Sequence, residues 1–173
     1  TAVGLGTHTI ALPPLLAMGT PAQQEKWIPP VLRGEKIAAL AVTEPNTGSD
    51  VVGMGTTAID RGNYWELNGQ KMWTTSAHFA EWYWVGARTD PDKPKHEGLS
   101  LFLIPMDHPG LEVQSLPTVG KDTTNQVFFE DVFVPDEYLV GQRGKGFQYI
   151  AEALDLERFT MFTLSPITNR TKV

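Results

Sequence analysis

Two short stretches carry residue types and spacings that can hold a planar, hydrogen-bonding ligand. The first is Ala41 to Asp50, AVTEPNTGSD. It joins an apolar run, Ile37 to Val42, to a hydroxyl-rich loop. As a strand, Ile37, Ala39, Ala41 and Thr43 share one face, and Ala38, Leu40 and Val42 share the other. Pro45 removes a backbone donor and ends any ladder, and Gly48 permits a turn that a side chain would obstruct. Thr43, Thr47 and Ser49 are thereby delivered to one place together with unpaired amides. Such a place can hydrogen-bond the edge of a heteroaromatic ring or a ligand carbonyl. Taken alone, the stretch reads equally well as a polar β-turn.

The second stretch is Leu67 to Ala77, LNGQKMWTTSA. Asn68-Gly69 is a strong signal for a two-residue hairpin turn. On the strand that leaves it, Lys71, Trp73 and Thr75 fall on one face and Met72 and Thr74 on the other. A flat indole followed two residues later by a hydroxyl can pack beside a planar ring and donate to its edge. Trp73 as an ordinary strand tryptophan, with Thr43 and Thr75 as β-formers, is the competing reading.

The elements that must position these stretches follow from the rest of the pattern. Gly4 to Met18, with Pro13-Pro14 in its middle, predicts a short helix, a break and a second short helix. Thr20-Pro21-Ala22-Gln23 predicts a helix start with Thr20 as N-cap, Pro21 at N1 and Gln23 closing a capping box. That helix is expected to run to about Ile28 and end at Pro29-Pro30. Between Glu35 and Pro135 the helical period vanishes. Strand-like runs cover 37–42, 54–59, 64–67, 71–75, 82–87, 99–104, 111–115 and 127–134, with turn signals between them. Short strands without intervening helices predict a β-barrel or sandwich. Trp82 to Val85 and Leu99 to Ile104 are apolar on both faces and should be central, while Asp90 to Glu97 should be an exposed loop. Glu137 to Gly146 reads as a flexible connector; its GQRGKG lacks the Ser or Thr and the spacing of a phosphate loop. Phe147 to Leu164 predicts a helix whose apolar face, with Phe147, Ile150, Ala151, Leu154, Met161 and Phe162, also contains Arg158. A guanidinium there needs a partner, such as Asp155, or a ligand.

The 173 residues suffice for one domain with a real core. A net charge of −6 without a basic cluster argues against nucleic acid. No apolar run approaches the roughly 20 residues of a membrane span, and no signal peptide is visible. The absence of cysteine removes disulfide and thiol chemistry. The histidines are scattered, with no metal-ligand spacing, and His8 reads as structural. There is no Gly-x-Ser-x-Gly elbow and no Rossmann fingerprint. Thr1 opens inside an apolar segment and Val173 closes a polar tail, so a longer parent protein is expected.

TEPNTGSD followed by KMWTTSA, then FFEDVFVPDEYLVG at Phe128 to Gly141 and GKGFQYIAEALDLER at Gly144 to Arg158, resembles the middle region of the acyl-CoA dehydrogenases in order and spacing. The resemblance covers nearly the whole chain. It implies an α+β fold: an antiparallel β-barrel (35–136) between the end of an N-terminal helical domain (1–34) and the start of a C-terminal one (137–173). It implies FAD as cofactor, with hydride passing from the acyl-CoA β-carbon to flavin N5. The cofactor contacts it implies are Leu40, Val42, Thr43, Gly48, Ser49, Trp73, Thr74 and Thr75. Ser49, Asp155 and Arg158 are implied to face acyl-CoA.

The family's catalytic glutamate has no counterpart in this chain by that resemblance. Glu157 and Glu44 are the nearest substitutes, and neither matches its position. The family also implies electron-transfer flavoprotein as acceptor, a homo-oligomer, and a bacterial cytoplasmic or mitochondrial matrix setting. A related acyl-CoA oxidase, or a non-catalytic binding or assembly module, would be compatible with the same residues.

Overall fold

The computed structural model describes residues 12–119 and 123–164, with side chains as far as Asp155. Helix α1, Leu12–Met18, contains Pro13 and Pro14 in its first turn. There their missing N–H groups cost nothing, and this is the second of the two short helices that the sequence predicts; the first falls in the segment that lies outside the described residues. Helix α2, Pro21–Leu32, opens with the expected capping box. The Gln23 amide donates to Thr20 Oγ1 at 3.2 Å and the Thr20 amide donates to Gln23 Oε1 at 2.9 Å.

The helix does not stop at Pro29-Pro30, as the sequence predicts, but runs through to Leu32. The carbonyls that lose donors belong to Glu25 and Lys26, which are exposed, so water can replace the missing bonds. Buried Trp27 and Val31 anchor the helix on either side of the prolines.

Eight strands follow: β1 Ala38–Ala41, β2 Thr57–Asp60, β3 Tyr64–Thr75, β4 Trp82–Arg88, β5 Leu99–Pro105, β6 Leu111–Pro117, β7 Thr123–Pro135 and β8 Leu139–Val140. Helix α3, Gly146–Leu164, closes the described chain. The sheet order is β6-β7-β3-β2-β4-β5-β8, with β1 on β4. The expected closed, antiparallel barrel is therefore not what forms. The sheet is open, and β1 and β2 both run parallel to β4. Among the described residues no helix is long and apolar enough to cross a membrane.

Strand β4 organises the interior because it is buried on both faces. Tyr83, Val85 and Ala87 join Ala39, Ala41, Trp65, Leu67, Phe102 and Val127 in one core. Trp84 points the other way, into a second core with Leu15, Trp27, Ala38, Leu101 and Ile150. The alternation predicted for residues 37–43 is thus realised, with Ala39 and Ala41 in one core and Ala38 and Leu40 against the other. The loop from residue 91 to 97 is exposed, as expected.

The connector before α3 is not loose. Arg143 bonds Asp60 and the Thr89 carbonyl, the Gly144 amide donates to Ser100 Oγ, and a Cβ on Gly146 would sit 2.6 Å from the Ser100 carbonyl carbon.

The largest departure from the sequence reading is at Asn68-Gly69. No hairpin forms there; β3 continues through these residues without interruption. Gly69 instead carries φ +149° at a register shift against β7. A Cβ on it would meet Thr56 Cα at 2.7 Å. The conformational freedom that Asn-Gly signals is spent on a bulge rather than a turn. Opposite it, Asp131 has φ +48°, and its amide donates to Asn68 Oδ1 at 2.9 Å.

Candidate functional site

Residues 44–47 form a tight turn in which the Glu44 and Thr47 backbones exchange two hydrogen bonds, at 2.9 and 3.1 Å. This turn, predicted from Pro45 and its neighbours, leaves Gly48 and Ser49 exposed. The two candidate stretches meet directly, because the Met72 amide donates to the Thr43 carbonyl at 2.8 Å. One residue further along β3, Trp73 presents its indole to the outside, 59% exposed.

Trp73 has φ +58°, at a second register shift between Lys71 and Thr74. A bulky L-residue in the left-handed region costs on the order of 1–3 kcal/mol and marks a position that the surroundings over-determine. This shift breaks the predicted parity. Lys71 does not share a face with Trp73: its side chain is 0% exposed, while Trp73 and Thr75 both face outward.

Leu40 and Val42 pack against the second core, below the Thr43 backbone. Thr74 is buried; its hydroxyl lies 2.8 Å from Tyr83 Oη and its carbonyl accepts from Asn125. Asp155 is exposed on α3, and Arg158 and Glu157 lie outside the described side chains. So the structure joins Thr43 to Met72, next to Trp73, leaves Trp73 and Thr75 both exposed, and turns the Thr74 hydroxyl inward.

Beneath this surface is an ion pair that the residue pattern did not reveal. Lys71 Nζ lies 2.8 Å from Glu44 Oε1, with the side chains 0% and 8% exposed. Glu44 also accepts the Gly55 amide at 2.6 Å and the Thr56 amide at 3.0 Å. Burial alone would raise the Glu44 carboxyl, but the Lys71 charge and the bonds from Thr56 and Gly55 outweigh it and hold the group below the usual carboxylate range. Burial brings the Lys71 ammonium down to about 8, against the pull of Glu44. A signal was available. Glu44 is the only charged residue between Ile37 and Ser49, and Lys71 is the only one from Leu67 to Ala77.

The exposed indole of Trp73, exposed Thr75 and the exposed 48–49 loop are residue types that can contact a planar heteroaromatic ligand. Among the described residues no cluster of His, Cys, Asp or Glu could hold a metal ion.

The chain is 41% identical over 160 residues to the acyl-CoA dehydrogenase FadE34 of Mycobacterium tuberculosis, a match that covers 92% of this chain and 22% of that protein. It superposes on the crystal structure of an acyl-CoA dehydrogenase from Geobacillus kaustophilus with a TM-score of 0.88 at 40% identity, covering 92% of this chain and 43% of that one. The glutaryl-coenzyme A dehydrogenase–glutaryl-CoA complex gives a TM-score of 0.87 at 31% identity, covering 92% and 41%. This chain thus spans less than half the length of each of these proteins. Residues 39–132, from β1 to the Asp131 bulge, match the acyl-CoA dehydrogenase middle domain, and the chain belongs to the acyl-CoA dehydrogenase family.

Proposed function

We propose that this chain is the cofactor- and acyl-CoA-facing segment of an FAD-dependent acyl-CoA dehydrogenase. The observation that carries the reading is the Met72–Thr43 bond, which joins the two motifs beside an indole turned outward against its own backbone preference. FAD, when bound, supplies the hydride acceptor for α,β-dehydrogenation of an acyl-CoA thioester. The chain's part is to hold and orient. Trp73 offers a flat apolar face, Thr43 and Thr75 offer hydroxyls to the ring edge, and Gly48 and Ser49 open the loop toward the phosphates and the acyl-CoA. Asp155 and Arg158 would flank the acyl-CoA from α3.

Removal of the α-proton needs a base within hydrogen-bond reach of it. Glu44 is unsuited to that role, since both its oxygens are engaged in the interior. In this reading the base comes from outside this chain's residues, and residues 1–34 and 137–173 belong to helical domains on either side of the 35–136 unit. Electron-transfer flavoprotein as acceptor and a homo-oligomeric assembly complete the proposal.

The test is an FAD titration followed by anaerobic mixing with acyl-CoA thioesters. FAD should bind, with about tenfold weaker affinity in Trp73→Ala, and its absorption should not bleach with this chain alone. An unchanged dissociation constant in Trp73→Ala would overturn the placement of the ring. Bleaching would overturn the assignment of the base.

A further inference from the structure

We infer that the buried Glu44–Lys71 ion pair is a positioning device: it sets the register at which the two motifs meet and so holds the Trp73 indole in its outward, left-handed presentation. The geometry stands on its own; only the ligand, FAD, rests on the function proposed above.

In a regular strand, residues that face the same side are an even number of positions apart. Lys71 and Thr74 both face inward, yet they are an odd number apart. Each is tied down. Lys71 reaches Glu44 at 2.8 Å, and Thr74 is held by Tyr83 through its hydroxyl and by Asn125 through its carbonyl, both at 2.8 Å. Two inward anchors at odd spacing cannot coexist on a regular strand, so one residue between them must leave the β region. That residue is Trp73, with φ +58°.

Release of the Lys71 anchor would remove the conflict. The strand could then alternate regularly from Thr74, with Met72 turning inward and Lys71 outward. The Met72 amide would no longer meet the Thr43 carbonyl, and the two motifs would come apart. Glu44 makes the anchor specific rather than merely greasy. Its carboxylate collects Lys71 from β3 and the Gly55 and Thr56 amides from the segment entering β2, so a single residue indexes both against the 43–47 turn. Fixing register is the best-attested use of a buried polar group.

The experiment uses the intact FAD-loaded protein and the double variant Glu44→Gln/Lys71→Met, which removes both charges and so leaves neither buried alone. The expected result is a cooperative thermal transition but an FAD dissociation constant raised about tenfold. Val134→Ala, a cavity in the same sheet away from the pair, should lower the transition temperature and leave FAD affinity unchanged. A second readout needs no flavin. Asn tolerates the left-handed region better than Trp, so Trp73→Asn should raise the transition temperature of the apoprotein. In the double variant, where the strand is free to straighten, that gain should vanish.

An equal gain from Trp73→Asn in both backgrounds, or wild-type FAD affinity in the double variant, would overturn the inference. If the unmutated protein binds no FAD, the proposed function falls, while the Trp73→Asn comparison still decides the positioning role. Should the double variant fail to fold, Glu44→Asp, which keeps the charge and shortens its reach, is read by the same two measurements.

Discussion

Strand β3 bends twice within a few residues, and the two bends serve opposite ends. At Gly69 the left-handed position is filled by the residue that tolerates it, the clasp is Asn68 with Asp131 at the surface, and what is gained is room for Thr56. At Trp73 a comparable backbone excursion is filled by a residue that resists it. Its supports are buried, and what is gained is a large aromatic face turned outward. A bulge that suits its residue is shaping; a bulge that strains its residue, with a charge pair beneath it, is display. The difference singles out the Trp73 surface, on backbone geometry alone, as the place to test for function.

The largest effect should come from breaking the display bend on one side only. Lys71→Met leaves the Glu44 carboxylate buried without its cation and should cost about 3–5 kcal/mol in chemical denaturation. Gly69→Ala at the shaping bend adds a Cβ that meets Thr56 and must hold φ +149°. It should cost about 2–3 kcal/mol, and it should do so without changing FAD affinity. An altered FAD affinity in Gly69→Ala would erase the distinction between the two bends. Asn68→Ala removes the surface clasp alone and should cost about 1 kcal/mol by the same denaturation measurement; a cost matching that of Lys71→Met would mean the clasp carries the strand.

The sequence conveyed more of the scaffold than of the site. Thr20 to Gln23, the alternation of residues 37–42, the strands at 82–87 and 99–104 and the 90–97 loop are governed by local rules, and those rules held. What was not legible depends on partners distant in the chain. Asn68-Gly69 announces a left-handed residue, but whether a turn or a bulge uses it depends on β7 and Thr56. The parity of Lys71 and Trp73 failed because Glu44 captures Lys71 from across the fold. The barrel does not close because the terminal strands of the order, β6 and β8, do not pair with each other, which no local pattern encodes. The two motifs themselves were legible, but the backbone bond from Met72 to Thr43 that joins them was not, because it links residues distant in the chain.

The sharing of β4 by β1 and β2 has a consequence for how the segment between them can change over time. Ala41 ends opposite Val85 and Thr57 begins opposite Arg88, so the chain leaves and rejoins one strand at points about 10 Å apart. Everything between, residues 42–56, is a closed excursion whose ends are held by the sheet, in the manner of an Ω-loop. Doubling the length of such a flexible excursion adds only about 0.6 kcal/mol of closure entropy. Apart from the residues tied to Glu44, buried Met54 and the Val52 and Met54 carbonyls that Arg88 holds, the excursion can therefore lengthen, shorten or change composition around Gly48 and Ser49 while every strand keeps its register.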